Sequence, residues 1–110
     1  MKLPNSEQAI VPEKKLIGYI LSETHAVGKF KARFFRDLGF NETNVVVLRK
    51  ELLNLAKYNE VKSFEQSNYG TKYIVDGSIL TPRKQSVKIR TVWIIEKGKT
   101  GPIFVTAYPD

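Results

Sequence analysis

The sequence predicts an α+β domain in which about three N-terminal helices pack on a four-stranded antiparallel sheet. Two patterns predict this class: apolar residues recur at helical spacing as far as Tyr58, and from Val61 onward they alternate with polar residues as in strands. The chain has 110 residues, 42% of them hydrophobic and 26% charged, which is typical of one globular domain. We therefore predict a single domain over residues 1–110, with a helical half at 1–58 and a sheet half at 61–108.

The first helix is predicted from Pro12 to Leu21, because proline suits the first turn of a helix. The second helix ends at Gly39, and the third begins near Thr43 or Asn44. Apolar residues at helical spacing are predicted to face the core from each helix in turn: Leu16, Tyr19 and Ile20; Phe30, Phe34, Phe35 and Leu38; Val45, Leu48, Leu52 and Leu55.

The second half predicts four strands joined as a meander, at about Val61–Gln66, Thr71–Asp76, Val87–Glu96 and Ile103–Tyr108. Asp76-Gly77 and Lys97-Gly98 are turn signals between them. In the third strand one face is apolar throughout, whereas the other mixes basic and apolar side chains. This pattern predicts a central strand whose second face is partly covered or forms a cleft.

Several classes of function are excluded or disfavoured by composition. There are no cysteines, which excludes a disulfide scaffold, a thiolate zinc site and a cysteine nucleophile. With one histidine and scattered acids, the sequence disfavours a transition-metal site and a metal-dependent nuclease or phosphatase. It also has no phosphate-binding glycine motif and no serine nucleophile elbow. No apolar run approaches the ~18 residues of a membrane span, and the N-terminus lacks a signal peptide. We expect a cytoplasmic, stand-alone protein without a metal or other cofactor.

The charge balance points to an anionic partner. Eighteen Lys and Arg residues against eleven Asp and Glu residues give a net charge of +7, and the positive charges are clustered. Such a field attracts nucleic acid, an acidic protein or an anionic membrane surface. Solubility alone is the alternative explanation.

The first basic cluster lies in the segment HAVGKFKARFFRDLGF, which holds the only histidine, His25. Lys29, Arg33 and Arg36 are spaced to share one face of the second helix. If that helix begins near Gly28, its N-terminus also favours an anion, and an imidazole beside a bound phosphate is suited to move a proton. The alternative is a capping or packed histidine above a solvated helix.

The second basic cluster lies in the segment TPRKQSVKIRTVWIIEKGK, where Lys88 and Arg90 share one face of the third strand. Arginine binds phosphate well, because its planar fork donates two hydrogen bonds at once. Alternatively, these basic residues serve only to prevent exposed sheet edges from pairing with other chains. Among the aromatic residues, Tyr69 and Tyr108 are expected at accessible strand ends, where a ring can stack on a base, whereas Trp93 is expected in the core.

Metal-independent RNA cleavage fits this set of residues. RNA supplies its own nucleophile, the 2′-hydroxyl, so that the enzyme provides a base, an acid and cations for the phosphorane. One histidine cannot be both acid and base in the same step. The second group is then a tyrosine, a lysine of lowered pKa or Glu96, and the sequence leaves these open.

Four blocks, HAVGKFKARFF, YGTKYIVDG, RTVWIIE and TAYP, resemble a bacterial family of small domains of unknown function that is frequent in cyanobacteria. The resemblance covers essentially the whole chain. The order of helices and strands is also similar to that of the barnase–EndoU–colicin–RelE group of metal-independent ribonucleases, many of them toxins. That second resemblance implies catalytic groups on the open sheet face and at the end of an N-terminal helix.

The candidate site follows from this resemblance and from the basic clusters. The catalytic candidates are His25, Lys31, Arg90, Thr91 and Tyr108. The substrate-binding candidates are Lys29, Arg33, Tyr69, Thr71 and Lys88. Having one histidine departs from the two-histidine members of the group and favours a RelE-like or mixed arrangement.

The expected function is a metal-independent endoribonuclease of the toxin type, with RNA as substrate and an acidic antitoxin or immunity protein as partner. The alternative is a non-catalytic basic module that binds RNA or an acidic protein. An inhibitor role is disfavoured, because nuclease inhibitors are usually acidic. The central expectation is that His25 and Arg90 meet in one open pocket, and that loss of Arg90 lowers the rate most.

Overall fold

The computed structural model describes residues 1–26 and 29–110. Its main elements follow in the order α1 (Glu13–Lys15), a π-helical turn (Leu16–Ile20), α2 (Lys29–Asp37), α3 (Val45–Tyr58), β1 (Val61–Ser67), β2 (Gly70–Leu80), β3 (Ser86–Glu96) and β4 (Ile103–Pro109). The strands pair antiparallel in the order β1-β2-β3-β4. The predicted α+β class, with helices first and a four-stranded meander after them, is confirmed.

The first helical segment departs from the predicted α-helix. It begins after Pro12 as expected, but only its first turn is α-helical. The Leu21 amide then donates to the Leu16 carbonyl, five residues earlier, at 2.7 Å. This wider π-helical winding is rare and is found often at functional sites.

A capped 3-10 turn, Glu42–Asn44, leads directly into the third helix. The Asn41 side chain accepts a hydrogen bond from the Thr43 amide, and the Asn44 side chain accepts one from the Asn41 amide, both at 2.8 Å. This reciprocal arrangement satisfies amide donors that a helix N-terminus leaves without partners. The helix then buries its predicted stripe of Val45, Leu48, Leu52 and Leu55.

The core lies between the helices and one face of the sheet. Its largest fully buried side chains include Leu16, Ile20, Phe35, Leu48, Leu52, Trp93 and Phe104. Trp93 and Phe104, on neighbouring strands, meet edge to face with ring centroids 5.4 Å apart. The apolar face predicted for the third strand is therefore the core face, because Ile89, Thr91 and Trp93 are all buried.

Phe30 is not a core residue, contrary to the prediction. It is 71% exposed, whereas Phe35 on the same helix is fully buried. The described part of α2 begins only at Lys29 and buries Ala32 and Phe35. Phe30 lies two residues before Ala32, on another side of the helix. The helix N-terminus that was predicted near Gly28 as an anion site includes residues 27 and 28, which lie outside the described residues.

The predicted turn at Asp76-Gly77 is wrong, because β2 continues through it to Leu80. Glycine is needed there for a different reason: a Cβ atom at Gly77 would lie 2.7 Å from the Asn59 side chain and 2.9 Å from Leu55. The strand thus passes close under the end of α3. The chain reverses instead after Thr81, whose hydroxyl accepts the amides of Arg83 and Gln85. The predicted turn at Lys97-Gly98 is confirmed, with Gly98 at φ 81°.

The second face of the sheet carries side chains that alternate with the core residues. Its central part is formed by Lys72, Ile74, Asp76, Lys88, Arg90, Val92, Ile94, Thr106 and Tyr108. The register places Asp76 opposite Arg90, and Arg90 opposite Tyr108. An extra residue in β4, Val105, interrupts the register between Thr106 and Phe104, and such a bulge redirects side chains at a sheet edge. We call this surface the open face.

Candidate active site

Lys31 on helix α2 reaches the edge of the sheet at β4. Its Nζ atom donates hydrogen bonds to the Tyr19 hydroxyl at 2.6 Å and to the Thr106 hydroxyl at 3.1 Å. The same atom lies 5.1 Å from the centroid of the Tyr19 ring and 5.6 Å from that of Tyr108. Two hydroxyls and two aromatic rings therefore hold the ammonium at one point, and the described residues occupy two of its three donors.

Tyr19 lies in the π-helical turn, between the buried residues Leu16 and Ile20. Its ring is half-buried, and its hydroxyl contacts both Lys31 and Thr106. Partial burial raises the pKa of the phenol, but the hydrogen bonds from Lys31 and Thr106 and the nearby ammonium charges outweigh this effect. The pKa of Tyr19 therefore lies below its usual value of 10.0. A phenol in this state is a stronger acid than a free tyrosine.

His25 lies beside Tyr19 and is exposed to solvent. The two ring centroids are 5.0 Å apart, with the rings at 79° to each other. The backbone of His25 is fixed at both ends: its amide donates to the Ser22 hydroxyl at 3.2 Å, and its carbonyl accepts the Lys29 amide at 3.0 Å. The imidazole is thus held next to the phenol at a solvent-exposed position.

These residues form one group, which we call the β4-edge cluster: Tyr19, His25, Lys31, Thr106 and Tyr108. It combines an imidazole, an acidified phenol and an ammonium at an accessible edge of the sheet. These are the three kinds of group that RNA cleavage without a metal requires.

Arg90 lies on the open face but is bound to a carboxylate. Its Nε atom is 2.8 Å from Asp76 Oδ1, and its Nη2 atom is 2.9 Å from Asp76 Oδ2. Asp110 adds a second carboxylate oxygen, 3.8 Å from Nη2. The hydrogen bond and charge of Arg90 lower the pKa of Asp76, and those of Asp76 raise the pKa of Arg90. The guanidinium is therefore already paired, and this ion pair is not among the contacts predicted from the sequence.

The β4-edge cluster and Arg90 are neighbours through Tyr108. Tyr108 contacts Lys31 through its ring and lies directly opposite Arg90 in the sheet register. His25 and Arg90 thus stand toward the two ends of a continuous row, with Lys31 and Tyr108 between them. Lys88 lies two residues from Arg90 on the same face and is exposed. The structure brings these candidates together at one side of the molecule.

Thr91 is not part of this surface. It is fully buried on the core face. Its hydroxyl donates to the Val75 carbonyl at 2.7 Å and accepts the Trp93 indole N–H at 2.8 Å. The hydroxyl thereby satisfies the indole nitrogen of the largest core residue, so that its role in the fold is structural.

Tyr69 and Thr71 lie at the far end of the sheet. Gly70, the residue after Tyr69, pairs with Glu96, six positions along β3 from Arg90, a separation of roughly 20 Å in a strand. Tyr69 is 79% exposed at the hairpin tip, whereas Thr71 is half-buried. Glu96 lies at the same far end of the sheet. Of the three kinds of group proposed as the partner of His25, only a tyrosine and a lysine therefore lie near the imidazole.

Lys29 and Arg33 lie on the outer side of α2. They line a concave surface of about 360 Å³ with Glu23, Phe30, Arg36 and Asp37. The prediction that Lys29, Arg33 and Arg36 share one helix face is confirmed. Arg36 itself is occupied by structural contacts, because it donates to the Leu21 carbonyl and pairs with Glu42.

Three residues of this region were missed by the sequence analysis: Tyr19, Thr106 and Asp76. Tyr19 follows the apolar helical pattern, and only its hydroxyl distinguishes it from a core residue. Asp76 precedes a glycine and so resembles a turn residue. The alternation of β2 places it on the same face as Lys72, and this was the signal available for a partner of Arg90.

Among the residues described, no group of three or more His, Cys, Asp or Glu side chains is placed to hold a metal ion. Within residues 1–26 and 29–110, no helix is long and apolar enough to cross a bilayer.

Comparison with known proteins gives a similar solved structure and a matching family. The fold is similar to a chain in a complex of a contact-dependent growth inhibition toxin with its immunity protein from Klebsiella pneumoniae 342, with a TM-score of 0.71 over 96% of each chain and 16% sequence identity. No curated protein matches the sequence. Residues 2–110 match a family described as a domain of unknown function, DUF6883, and the chain belongs to that family.

Proposed function

We propose that this protein is a metal-independent ribonuclease of the toxin type, with the β4-edge cluster as its active site. One observation carries the proposal: the Lys31 ammonium is bonded to the Tyr19 hydroxyl at 2.6 Å, and the same tyrosine ring contacts the exposed imidazole of His25. A base, an acid and a cation are thereby grouped at a surface that is open to a large substrate.

The reaction that these groups would support is attack of a ribose 2′-hydroxyl on the adjacent phosphate. His25, in its neutral form, accepts the proton of the 2′-hydroxyl as the O2′–P bond forms. Tyr19 donates its proton to the departing 5′-oxygen as the P–O5′ bond breaks. The products are a 2′,3′-cyclic phosphate and a 5′-hydroxyl, and proton exchange with solvent restores both side chains.

Lys31 has two tasks in this scheme. Its charge stabilises the negative phosphorane, and its hydrogen bond stabilises the tyrosinate that remains after proton donation. The Arg90–Asp76 pair flanks the site with a charge that is largely compensated. We therefore expect Lys31, rather than Arg90, to contribute most to the rate.

The net charge of +7 favours RNA as the substrate, because it draws polyanions to the surface. It also favours the toxin over the immunity protein of a toxin–immunity pair, since the inhibitor of a basic nuclease is expected to be acidic. The similarity in fold to a chain of such a complex supports an immunity protein as partner, and the open face beside the β4-edge cluster is the surface we expect it to cover.

The proposal is tested by incubating the purified protein with total RNA in EDTA. We expect the wild type to cleave, and His25→Ala, Tyr19→Phe and Lys31→Met each to lose about 10²–10³ of the rate, as is typical when one positioned donor or charge is removed. Arg90→Ala is expected to lose less. Lys99→Ala removes an exposed positive charge at the far end of the sheet and serves as the control, with a rate close to that of the wild type.

The same preparation discriminates the alternative, a binding module without turnover. Salt-sensitive RNA binding by an intact, folded protein that leaves the RNA uncleaved would replace the ribonuclease by that module. Wild-type rates in all three variants of the β4-edge cluster would remove this cluster as the active site.

A further inference from the structure

The outer side of helix α2 carries an exposed aromatic ring that the β4-edge cluster does not use. Phe30 is 71% exposed and stands in the concave surface of about 360 Å³ described above. The Lys29 Nζ atom lies 5.3 Å from the centroid of its ring. Single exposed apolar side chains are common on protein surfaces, but this ring stands in a concave surface beside cations, a combination that is suited to bind a nucleic-acid base.

The cations of this surface differ in how far they are occupied. Arg36 is held by Glu42 and by Glu23, which lies 3.3 Å from its Nε atom. Within the part of the chain that the structure describes, neither Lys29 nor Arg33 forms an ion pair with a carboxylate. The acid Glu23 thus compensates Arg36, whereas the charges of Lys29 and Arg33 remain for a ligand.

We propose that Phe30, Lys29 and Arg33 form a second RNA-binding subsite, in which the ring stacks on an unpaired base and the two cations bind the phosphates beside it. This subsite deepens the ribonuclease function and rests on it for its place in catalysis. Aromatic rings flanked by lysine or arginine are a general means of binding single-stranded nucleic acid. The net positive charge favours this ligand over an apolar protein surface.

The position of the subsite defines the substrate class. Lys31 and Phe30 are adjacent residues, so their side chains leave α2 about 100° apart around its axis. A strand that places its scissile phosphate at Lys31 must therefore bend around a helix of about 10–12 Å diameter to reach Phe30. Single-stranded RNA or an RNA loop can do so, whereas a continuous duplex keeps its bases paired and out of reach of the ring. We infer that the substrate is looped or single-stranded RNA.

The test uses an RNA oligonucleotide that cannot be cleaved, because 2′-O-methyl groups replace its 2′-hydroxyls. A 2-aminopurine base in a loop reports stacking by loss of its fluorescence. We expect the wild type to quench it, Phe30→Ala to bind about 5- to 150-fold more weakly without quenching, and Phe30→Trp to bind at least as well as the wild type. Lys29→Ala should reduce the slope of log affinity against log salt by about 0.7.

Tyr58→Ala is the matched control. Tyr58 is also an exposed aromatic residue, at 64%, with a lysine Nζ 5.3 Å from its ring, but it lies at the end of α3 outside the concave surface. Its loss should leave affinity and quenching unchanged. The subsite is overturned if Phe30→Ala binds and quenches like the wild type, or if Tyr58→Ala is affected as strongly. The first outcome assigns Phe30 to a protein partner or to no ligand, and the second shows that the loss of RNA binding is not specific to this subsite.

The two proposals fail in different ways. If the wild type binds the inert RNA through Phe30 but does not cleave ordinary RNA, the subsite is upheld as a binding surface and the ribonuclease function is lost. If the protein cleaves RNA through the β4-edge cluster but Phe30→Ala keeps the wild-type affinity and quenching, the function is upheld and the subsite is lost.

Discussion

The Lys31 ammonium donates a 2.6 Å hydrogen bond to the Tyr19 hydroxyl, and this contact joins α2 to the π-helical turn. Both partners also contact Thr106 on β4, so that three separate segments of the chain converge on one hydroxyl–ammonium pair. In a folding role alone, such a pair contributes little at a partly exposed position. Its position beside His25 explains why it would be useful for proton transfer.

The acidity of Tyr19 is the most direct physical consequence of this pair. Replacing Lys31 by Met removes one hydrogen bond and one charge, so we expect the Tyr19 pKa to rise toward or above its usual value of 10.0. The measurement is the ultraviolet absorbance of phenolate during alkaline titration. The Tyr19 curve is obtained by subtracting the titration of the matched Tyr19→Phe variant. An unchanged curve in Lys31→Met would show that the two groups are not coupled.

The pH dependence of cleavage follows from the same pKa. Tyr19 acts as an acid only while protonated, and its folded-state pKa is below the usual value of 10.0. In the proposed reaction the rate should therefore fall as pH rises through that lowered pKa, which forms the alkaline limb of the pH–rate profile. Lys31→Met should move the alkaline limb to higher pH. An alkaline limb that stays in place in this variant would argue against Tyr19 as the acid.

The Asp76–Arg90 pair should make stability depend on pH in one direction. Arg90 lowers the pKa of Asp76 in the folded state, so the pair stabilises the fold above the ordinary aspartate pKa. This stability is lost as pH falls through the lowered folded-state value. Asp76→Asn should therefore unfold at lower denaturant than the wild type at neutral pH, and the difference should disappear in strong acid.

Asp37→Asn is the control for that measurement, because Asp37 is exposed on α2 and should show little difference at either pH. A gap between Asp76→Asn and the wild type that stays constant from neutral to acid pH would contradict a charge-based contribution.

Gly70 should be among the least replaceable glycines. It adopts φ +142°, and a Cβ atom there would lie 2.8 Å from the Glu96 Cα atom on the neighbouring strand. Gly70→Ala should reduce the free energy of unfolding by about 1–3 kcal/mol from backbone strain, with the steric contact added. Gly18→Ala is the matched comparison, since nothing lies within 4 Å of its added methyl group. Equal stability of the two variants, measured by denaturant unfolding, would argue against this close approach of the strands.

The fold could be predicted from the sequence because its elements have strong periodic patterns. Helical spacing is the only regular pattern in the stripe of Leu48, Leu52 and Leu55, and strict alternation is the only one in β3. Each pattern therefore predicts a single type of secondary structure. The predictions that were wrong are those in which a tertiary contact overrides a local signal. Asp76-Gly77 resembles a turn, but the glycine is required where β2 passes α3. Phe30 resembles a core residue, and only the rotation of α2 shows that it faces water.

The site could be predicted only in part. His25, Lys31, Arg90 and Tyr108 stand out as polar or charged residues within apolar segments, and the structure places them in one row. The partner of Lys31 was not predictable, because its hydrogen bond to Tyr19 joins residues 12 positions apart on separate elements. The partner of Arg90 had a signal in the alternation of β2, but the turn-like Asp76-Gly77 dipeptide obscured it.

The chemistry of the products tests the central claim most directly. A short RNA that the wild type cleaves in EDTA is compared with the same RNA carrying a single 2′-deoxy sugar at the mapped cleavage position. The account predicts a 2′,3′-cyclic phosphate and a 5′-hydroxyl from the first RNA, no cleavage at that position in the second, and loss of both products with Tyr19→Phe or Lys31→Met. Equal cleavage of the two RNAs, or products with a 5′-phosphate, would contradict it.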